Sequence, residues 1–408
     1  ADLTLEGEVG VSALDRNRSS DFDDGDNSGA AYNLTANWKP RSARIGDFDL
    51  ALRYRDVDAR FQPIDRINDI EFNRKWDIAT PAVARERMTE GRAAYMPWQH
   101  TRISGGAGSI SRGEFSSLRL DGGLQLQPAS ADSGLPKLDY GIEYIDSEDA
   151  QAGIHGSWLR QLAAAEYRGG LFTPRLRFEQ EHRESRDTPT DTLRLESQSF
   201  VDVRPGIVFP SIWNMTFSAD VGMRVEDVLL GGSLERQSTD ILQQYGWQLR
   251  SWKDLSSEVT VTVRDRRFSA LFASRGNKDL QTILTRAQTR YAPLNGGVQT
   301  DLLYEVSTER TSRLQRVFLN VPYGQGNYEY LGDLNDNGVQ DEEEFELTRY
   351  EGDYVLLTLP TDELFPVIDL KSSLRLRLRP ERFLRSGASP WTDALRAFPS
   401  ESLTGTEE

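Results

Sequence analysis

The chain has no cysteine, which excludes disulfide frameworks, thiolate metal centres and cysteine nucleophiles together. Histidine is nearly absent: His100, His155 and His182 are the only three, and none has a partner at zinc-ligand or triad spacing. They read as surface or structural residues. There is no G-x-S-x-G and no H-E-x-x-H. The glycine-rich stretch Ser104 to Ser109 is followed by no Lys-Ser/Thr, so it is not a phosphate loop. No run of about 18 apolar residues occurs, so no helix spans a membrane. That absence leaves open a transmembrane barrel, whose alternating strands carry a weaker hydropathy signal. Basic residues are in deficit, 48 against 64 acidic, for a net charge of −16. Phosphate backbones need a basic face, so nucleic acid is not an expected partner, whereas cations are. Carboxylates are so frequent that a glycosidase pair could be drawn almost anywhere, and none is informative. An enzyme is not expected.

What is present is period-two alternation over most of the 408 residues, enough for two or three ordinary domains or one large β-structure. Leu3, Leu5, Val9 and Val11 share one face opposite Thr4, Glu6 and Glu8. Phe48, Leu50, Leu52 and Tyr54 alternate with Asp49, Ala51 and Arg53, and the run Trp213 to Val225 is the cleanest case. Turn signals such as Gly231-Gly232, Arg275-Gly276-Asn277 and Asn295-Gly296-Gly297 separate the runs, with no long helical pattern between them. The fold class read from this is all-β, a long antiparallel meander of about 16–20 strands. Phe61 to Ile67 contains Pro63 and reads as a loop. The division expected is a strand region, 1–384, and a tail, 385–408. In the tail Ser389 would cap a short helix with Pro390 at its first position and Trp391, Leu395 and Phe398 on one face. The polar C-terminal end breaks off in mid-pattern, which predicts a piece of a longer protein.

The one stretch with specific ion chemistry is Asp333 to Glu344, D-L-N-D-N-G-V-Q-D-E-E-E. Side-chain oxygens of Asp333, Asn335, Asn337, Asp341 and Glu344 fall at positions 1, 3, 5, 9 and 12 of a calcium loop. Gly338 holds the sharp turn and Val339 offers its carbonyl. Strand-like flanks and Gln340 at position eight argue against a helix–loop–helix sensor, so calcium here is expected to be structural. The bland alternative is an acidic turn that binds nothing. The cluster Asp21, Asp23, Asp24 and Asp26 lacks the spacing and reads as solvated.

Alternation alone permits either a soluble sheet sandwich or a membrane barrel. Long runs, charged faces of both signs, and tryptophans near run ends (Trp98, Trp213, Trp252) lean toward the barrel. A resemblance points the same way. Tyr54 to Trp76, with Phe61-Gln62-Pro63, Arg66 and Glu71-Phe72-Asn73-Arg74-Lys75-Trp76, resembles a strand–loop–strand element of large, poorly characterised outer-membrane surface proteins of diderm bacteria. Gly324 to Tyr328, the calcium-like loop, Glu344-Phe345-Glu346, Tyr354, and Leu370 to Arg379 before Pro380 resemble the same group. The resemblance covers these blocks and not the rest. It implies an outer-membrane or cell-surface location, with lipid as a partner, and no known activity. Complete barrels of this kind end in a strand with a terminal aromatic, and this chain ends in Glu408. The expected function is therefore non-enzymatic: passage, assembly or surface attachment by a calcium-ordered barrel. The alternative is a secreted, soluble, calcium-stiffened adhesin or surface-layer module, with a calcium-dependent carbohydrate binder or enzyme as a remoter third.

Overall fold

Alternating residues become antiparallel strands almost everywhere. The computed structural model describes residues 2–14, 27–42, 44–65, 67–69, 71–78, 83–129, 134–322, 325–332, 334, 342–384, 391 and 400–407. They divide into two units, Ala1–Gln281 and Thr282–Glu408. In the first, the strands are β1 (Asp2–Ala13), β2 (Ser28–Lys39), β3 (Arg41–Ser42), β4 (Gly46–Val57), β5 (Glu86–Trp98), β6 (Thr101–Arg112), β7 (Phe115–Leu126) and β8 (Lys137–Asp149). There follow β9 (Ile154–Glu166), β10 (Thr173–Asp187), β11 (Thr192–Leu193), β12 (Gln198–Val208), β13 (Met215–Leu230), β14 (Ser233–Trp252) and β15 (Leu255–Phe268). Each long strand pairs antiparallel with the next, and the two-residue β3 and β11 sit on β4 and β10. The meander expected from the sequence is the one observed.

Register decides which residues share a face. One row runs Leu5, Ala36, Leu52, Gly91, Ala107, Leu120, Tyr144, Leu159 across β1 to β9. On the opposite face a row runs Glu90, Gly108, Arg119, Ile145, Trp158, Arg183, and the next runs Arg92, Gly106, Asp121, Glu143, Arg160, Glu181. The sheet is thus sorted into an apolar face and a charged one. Their exposure is the reverse of a soluble sheet: Leu5 is 70 % exposed and Leu52 63 %, while Glu86, Glu90, Asp202, Asp220 and Asp240 are buried.

Between β4 and β5 lies a long connection, residues 58–85, here called the strap. It includes α1 (Phe72–Lys75). The Glu71-to-Trp76 stretch, expected as the second strand of a strand–loop–strand element, is instead this helical turn. Phe72 and Trp76 are spaced one turn apart, so helix places both rings on one side, and both are buried. The Lys75 and Ile78 amides donate to the Glu71 and Asn73 carbonyls. Trp213, read from sequence as the start of a strand, has φ +53° and forms a tight turn with Asn214; β13 begins two residues on.

The second unit contains all but the first two residues of β16 (Leu280–Tyr291), then β17 (Val298–Asn320), β18 (Gly326–Tyr330), β19 (Phe345–Gly352), β20 (Tyr354–Leu378) and β21 (Ser400–Glu407). β17 pairs with β16 and β20, β20 with β21, and β18 with β19. Leu302, Tyr304, Leu374 and Ile368 share a face and are all exposed. The strand region reaches beyond residue 384, since Ser400–Glu407 pairs with β20 through Arg377 opposite Glu401. The helix expected over Ser389–Phe398 lies outside the described residues except for Trp391, which is exposed. The acidic cluster Asp21, Asp23, Asp24 and Asp26 lies outside them entirely.

Candidate functional site: a strap across the charged face

The strap enters from β4 and is held first against β1 and β2. The Asp58 amide donates to the Ala30 carbonyl at 2.9 Å, and the Gln62 amide to Ser12 Oγ at 2.9 Å. Phe61 crosses Gly29, where a Cβ would sit 2.2 Å from the Phe61 nitrogen; only glycine admits the chain there. The segment then crosses the sheet. The Arg55 guanidinium of β4 lies over the Phe72 ring at 4.8 Å, while Arg183 of β10 donates to Asp77 at 2.5 Å. A flat sheet would hold β4 and β10 about 29 Å apart, at ~4.8 Å per strand. Phe72 to Asp77 is about 8 Å long at helical rise. The sheet must therefore be concave around the strap, with its charged face inward.

Trp76 is the anchor. It is fully buried, and with Phe72, Ile78, Met88 and Ile110 it forms an apolar cluster, with Phe115 against it. Met88 and Ile110 are apolar residues on a face that elsewhere on the same strands carries Glu86, Glu90 and Arg112, which is the sequence signal that could have located the strap's seat. Gly108 makes room for the indole: a Cβ there would lie 2.8 Å from Trp76 Cη2. Burying about five large apolar side chains at 1.5–3 kcal/mol each makes this a fixture rather than a loose flap.

Polar contacts fix the orientation. Asp77, at φ +55°, accepts from Arg183 with one oxygen and from Ser147 Oγ at 2.8 Å with the other. Lys75 bonds Glu90 and lies 5.3 Å from the Trp76 ring centre. Burial pushes the Lys75 ammonium below its usual range, against the pull of Glu90. Arg55 pairs with Glu86. Three guanidiniums surround Trp158, those of Arg160, Arg183 and Arg74, at 4.5, 5.0 and 5.6 Å from its ring. Beyond the strap the inward charges pair across strands, Arg175 with Asp220 and both Arg264 and Arg266 with Asp240, and along one strand, Arg204 with Asp202. Carboxylates and guanidiniums in this density need one another, because an unpaired buried charge is costly.

Gly156 tests the latch that Asp77 forms with Arg183 and Ser147. A Cβ there would lie 2.5 Å from both Asp77 Oδ2 and Ser147 Oγ. Gly156→Ala should break the Asp77–Ser147 bond and cost about 1–3 kcal/mol by overpacking, measured as a lower unfolding midpoint. An unchanged midpoint would mean the latch is not under the tension of close packing.

The apolar face carries its own markers. Trp38, Trp98, Trp213 and Trp252 are all exposed and lie at the hairpin ends on one side of the first unit. Toward the opposite end Tyr54 and Tyr144 turn their hydroxyls to Asp56 and Asp146, at 3.2 and 3.3 Å. Phe48 to Tyr54 spans about 20 Å along the strand. Past the tyrosines the same face turns polar, with His155 facing Asp146, and Glu184 between His182 and Arg186.

Of the residues expected to bind calcium, Asp333, Asn335, Asn337, Val339 and Asp341 lie outside the described residues; Glu344 lies within them. Its carboxylate is buried and accepts from the Leu334 amide at 2.9 Å and the Tyr330 hydroxyl at 3.3 Å. It sits beside an aromatic cluster in which Phe318 stacks on Phe345 at 3.8 Å, with Tyr330 and Tyr354 against the same ring.

No family model matches the sequence, and no curated protein does. Among solved structures, the siderophore receptor PirA from Pseudomonas aeruginosa aligns over 92 % of this chain and 68 % of its own, at 8 % identity and TM-score 0.43. The ferric citrate transporter FecA aligns over 93 % and 56 %, at 11 % identity and TM-score 0.36. The copper transporter OprC aligns over 92 % and 58 %, at 9 % identity and TM-score 0.38. The chain spans about two thirds or less of the length of these proteins.

Proposed function

We propose that the chain forms strand wall of a non-enzymatic β-barrel in the bacterial outer membrane, its apolar face in lipid and its charged face around a lumen narrowed by the strap. The inverted alternation carries this reading. Rows such as Leu5, Leu52 and Leu120 are exposed while the opposite carboxylates are buried. In water such rows would be an apolar patch far larger than soluble proteins tolerate; in lipid they are the required surface. The tryptophans at one end, and the tyrosines followed by polar residues at the other, fit the two interfaces of the bilayer. A secreted soluble module would need its apolar face covered. The protein should require detergent to stay monodisperse, and folded protein should migrate differently from boiled protein in SDS gels. Monodispersity without detergent would sink the reading.

Within this role, the loop from Asp333 to Glu344 is a calcium clip that orders the connection between β18 and β19. Asp333, Asn335, Asn337, the Val339 carbonyl, Asp341 and Glu344 would supply the oxygens; buried Glu344 supports this. Titration calorimetry on the whole chain should give calcium-dependent heat at about millimolar levels, as for extracellular sites, and Glu344→Gln should abolish it. Absence of heat in the unsubstituted protein would remove the clip and leave the barrel untouched.

A further inference from the structure

Below the strap, the concave face holds a cavity of about 360 Å³ lined by Arg74 of the strap and by Arg119, Glu143, Arg160, Glu179 and Glu181 of the wall, among others. The inward-facing Gly141 leaves it open, since a Cβ there would meet nothing within 4 Å. Most of its charges are committed. Glu143 binds both Arg119 and Arg160, and Arg119 also holds Asp121 at 3.0 Å. Glu181 accepts from Gln198 Nε2 at 3.3 Å. Two groups make no side-chain hydrogen bond among the described residues. Arg74 is half exposed, and its carboxylate neighbours Glu71 and Glu181 stand at 3.8 and 3.9 Å, beyond hydrogen-bond reach. Glu179 is exposed and, among the described residues, has neither hydrogen bond nor ion pair.

We propose that this cavity binds a small zwitterion, an α-amino acid or short peptide, with its carboxylate on Arg74 and its ammonium on Glu179. The proposal rests on the lumen reading, which gives solutes access to this face. A lone anion would meet the carboxylates of Asp121, Glu143, Glu179 and Glu181; a lone cation would meet Arg74, Arg119 and Arg160. A molecule carrying both charges answers both sets. A guanidinium on the strap and a carboxylate on the wall also fix its direction, because a guanidinium grips a carboxylate through two parallel N–H donors.

The test is calorimetry on the full chain in detergent, with dialanine as the probe and N-acetylalanine amide, acetate and ethylammonium as comparators. Saturable binding is expected for dialanine alone. Arg74→Gln and Glu179→Gln should each weaken it by about tenfold or more, the loss of one charge-assisted contact. Both side chains are exposed, so both variants should melt with the unsubstituted protein. Absence of saturable dialanine binding, equal binding of the blocked compound, or unchanged affinity in both variants would each overturn the proposal. Failure of the barrel reading would show separately, as detergent independence.

Discussion

Trp76→Ala should release the strap. Removing a buried tryptophan costs about 3–5 kcal/mol, through lost transfer energy and the cavity left behind. Here the loss falls on a cluster made largely by the strap itself, Phe72, Trp76 and Ile78 on Met88 and Ile110. The wall keeps its own backbone ladder, so the expected outcome is local opening rather than loss of the sheet. Arg74 and Lys75 adjoin the anchor, and trypsin should cut there in the folded variant and not in the unsubstituted protein. On the barrel reading proposed above, conductance in planar bilayers should rise, since the strap crosses the face assigned to the lumen. Equal trypsin resistance in both proteins would show that the ion pairs of Asp77 and Lys75 hold the strap without the indole. Higher cleavage with no rise in conductance would place the narrowest point elsewhere on the lumen wall.

Leu52→Arg separates lipid from water as the medium of the apolar face. Leu52 is largely exposed and sits mid-row between Ala36 and Gly91. If that face lay in water, replacing an exposed leucine with arginine would change stability by no more than about 0.5 kcal/mol. If it faces hydrocarbon, arginine near the midplane costs about 2–4 kcal/mol. Urea unfolding of the protein in lipid vesicles measures the difference. Arg53→Leu, on the other face of the same strand, should act differently. It removes the hydrogen bond from Arg53 Nε to Asn33 at 3.1 Å and gives the lipid surface nothing. A neutral Leu52→Arg would contradict the membrane reading directly.

The two substitutions address what the sequence made legible to very different degrees. A strand's side chains alternate with period two, so Leu50, Leu52 and Tyr54 against Asp49, Ala51 and Arg53 already separate two faces. Gly231-Gly232 and similar turns already impose antiparallel hairpins. The meander and its sorted faces were therefore local properties, readable residue by residue. The strap was not. Phe61-Gln62-Pro63 marked a loop, but Glu71 to Trp76 looked extended, because a single helical turn carries too few residues to display its period. Its partners, Gly10 and Gly29 in β1 and β2, and Ser147, Gly156 and Arg183 in β8 to β10, are distant in sequence. Nothing near Asp77 names Arg183.

The amino-acid sequence by itself determined an antiparallel all-β chain with one apolar and one charged face, and the oxygen spacing from Asp333 to Glu344 that suits calcium. Only the tertiary structure decided which face is inside. Alternation is symmetric with respect to burial, and inversion appears only once the sheet curves around Trp76, enclosing Glu90 and Arg183 and leaving Leu5 and Leu52 exposed. The same curvature brings Arg74 and Glu179 to one cavity, so the site proposed for a zwitterion belongs to the fold and to no motif.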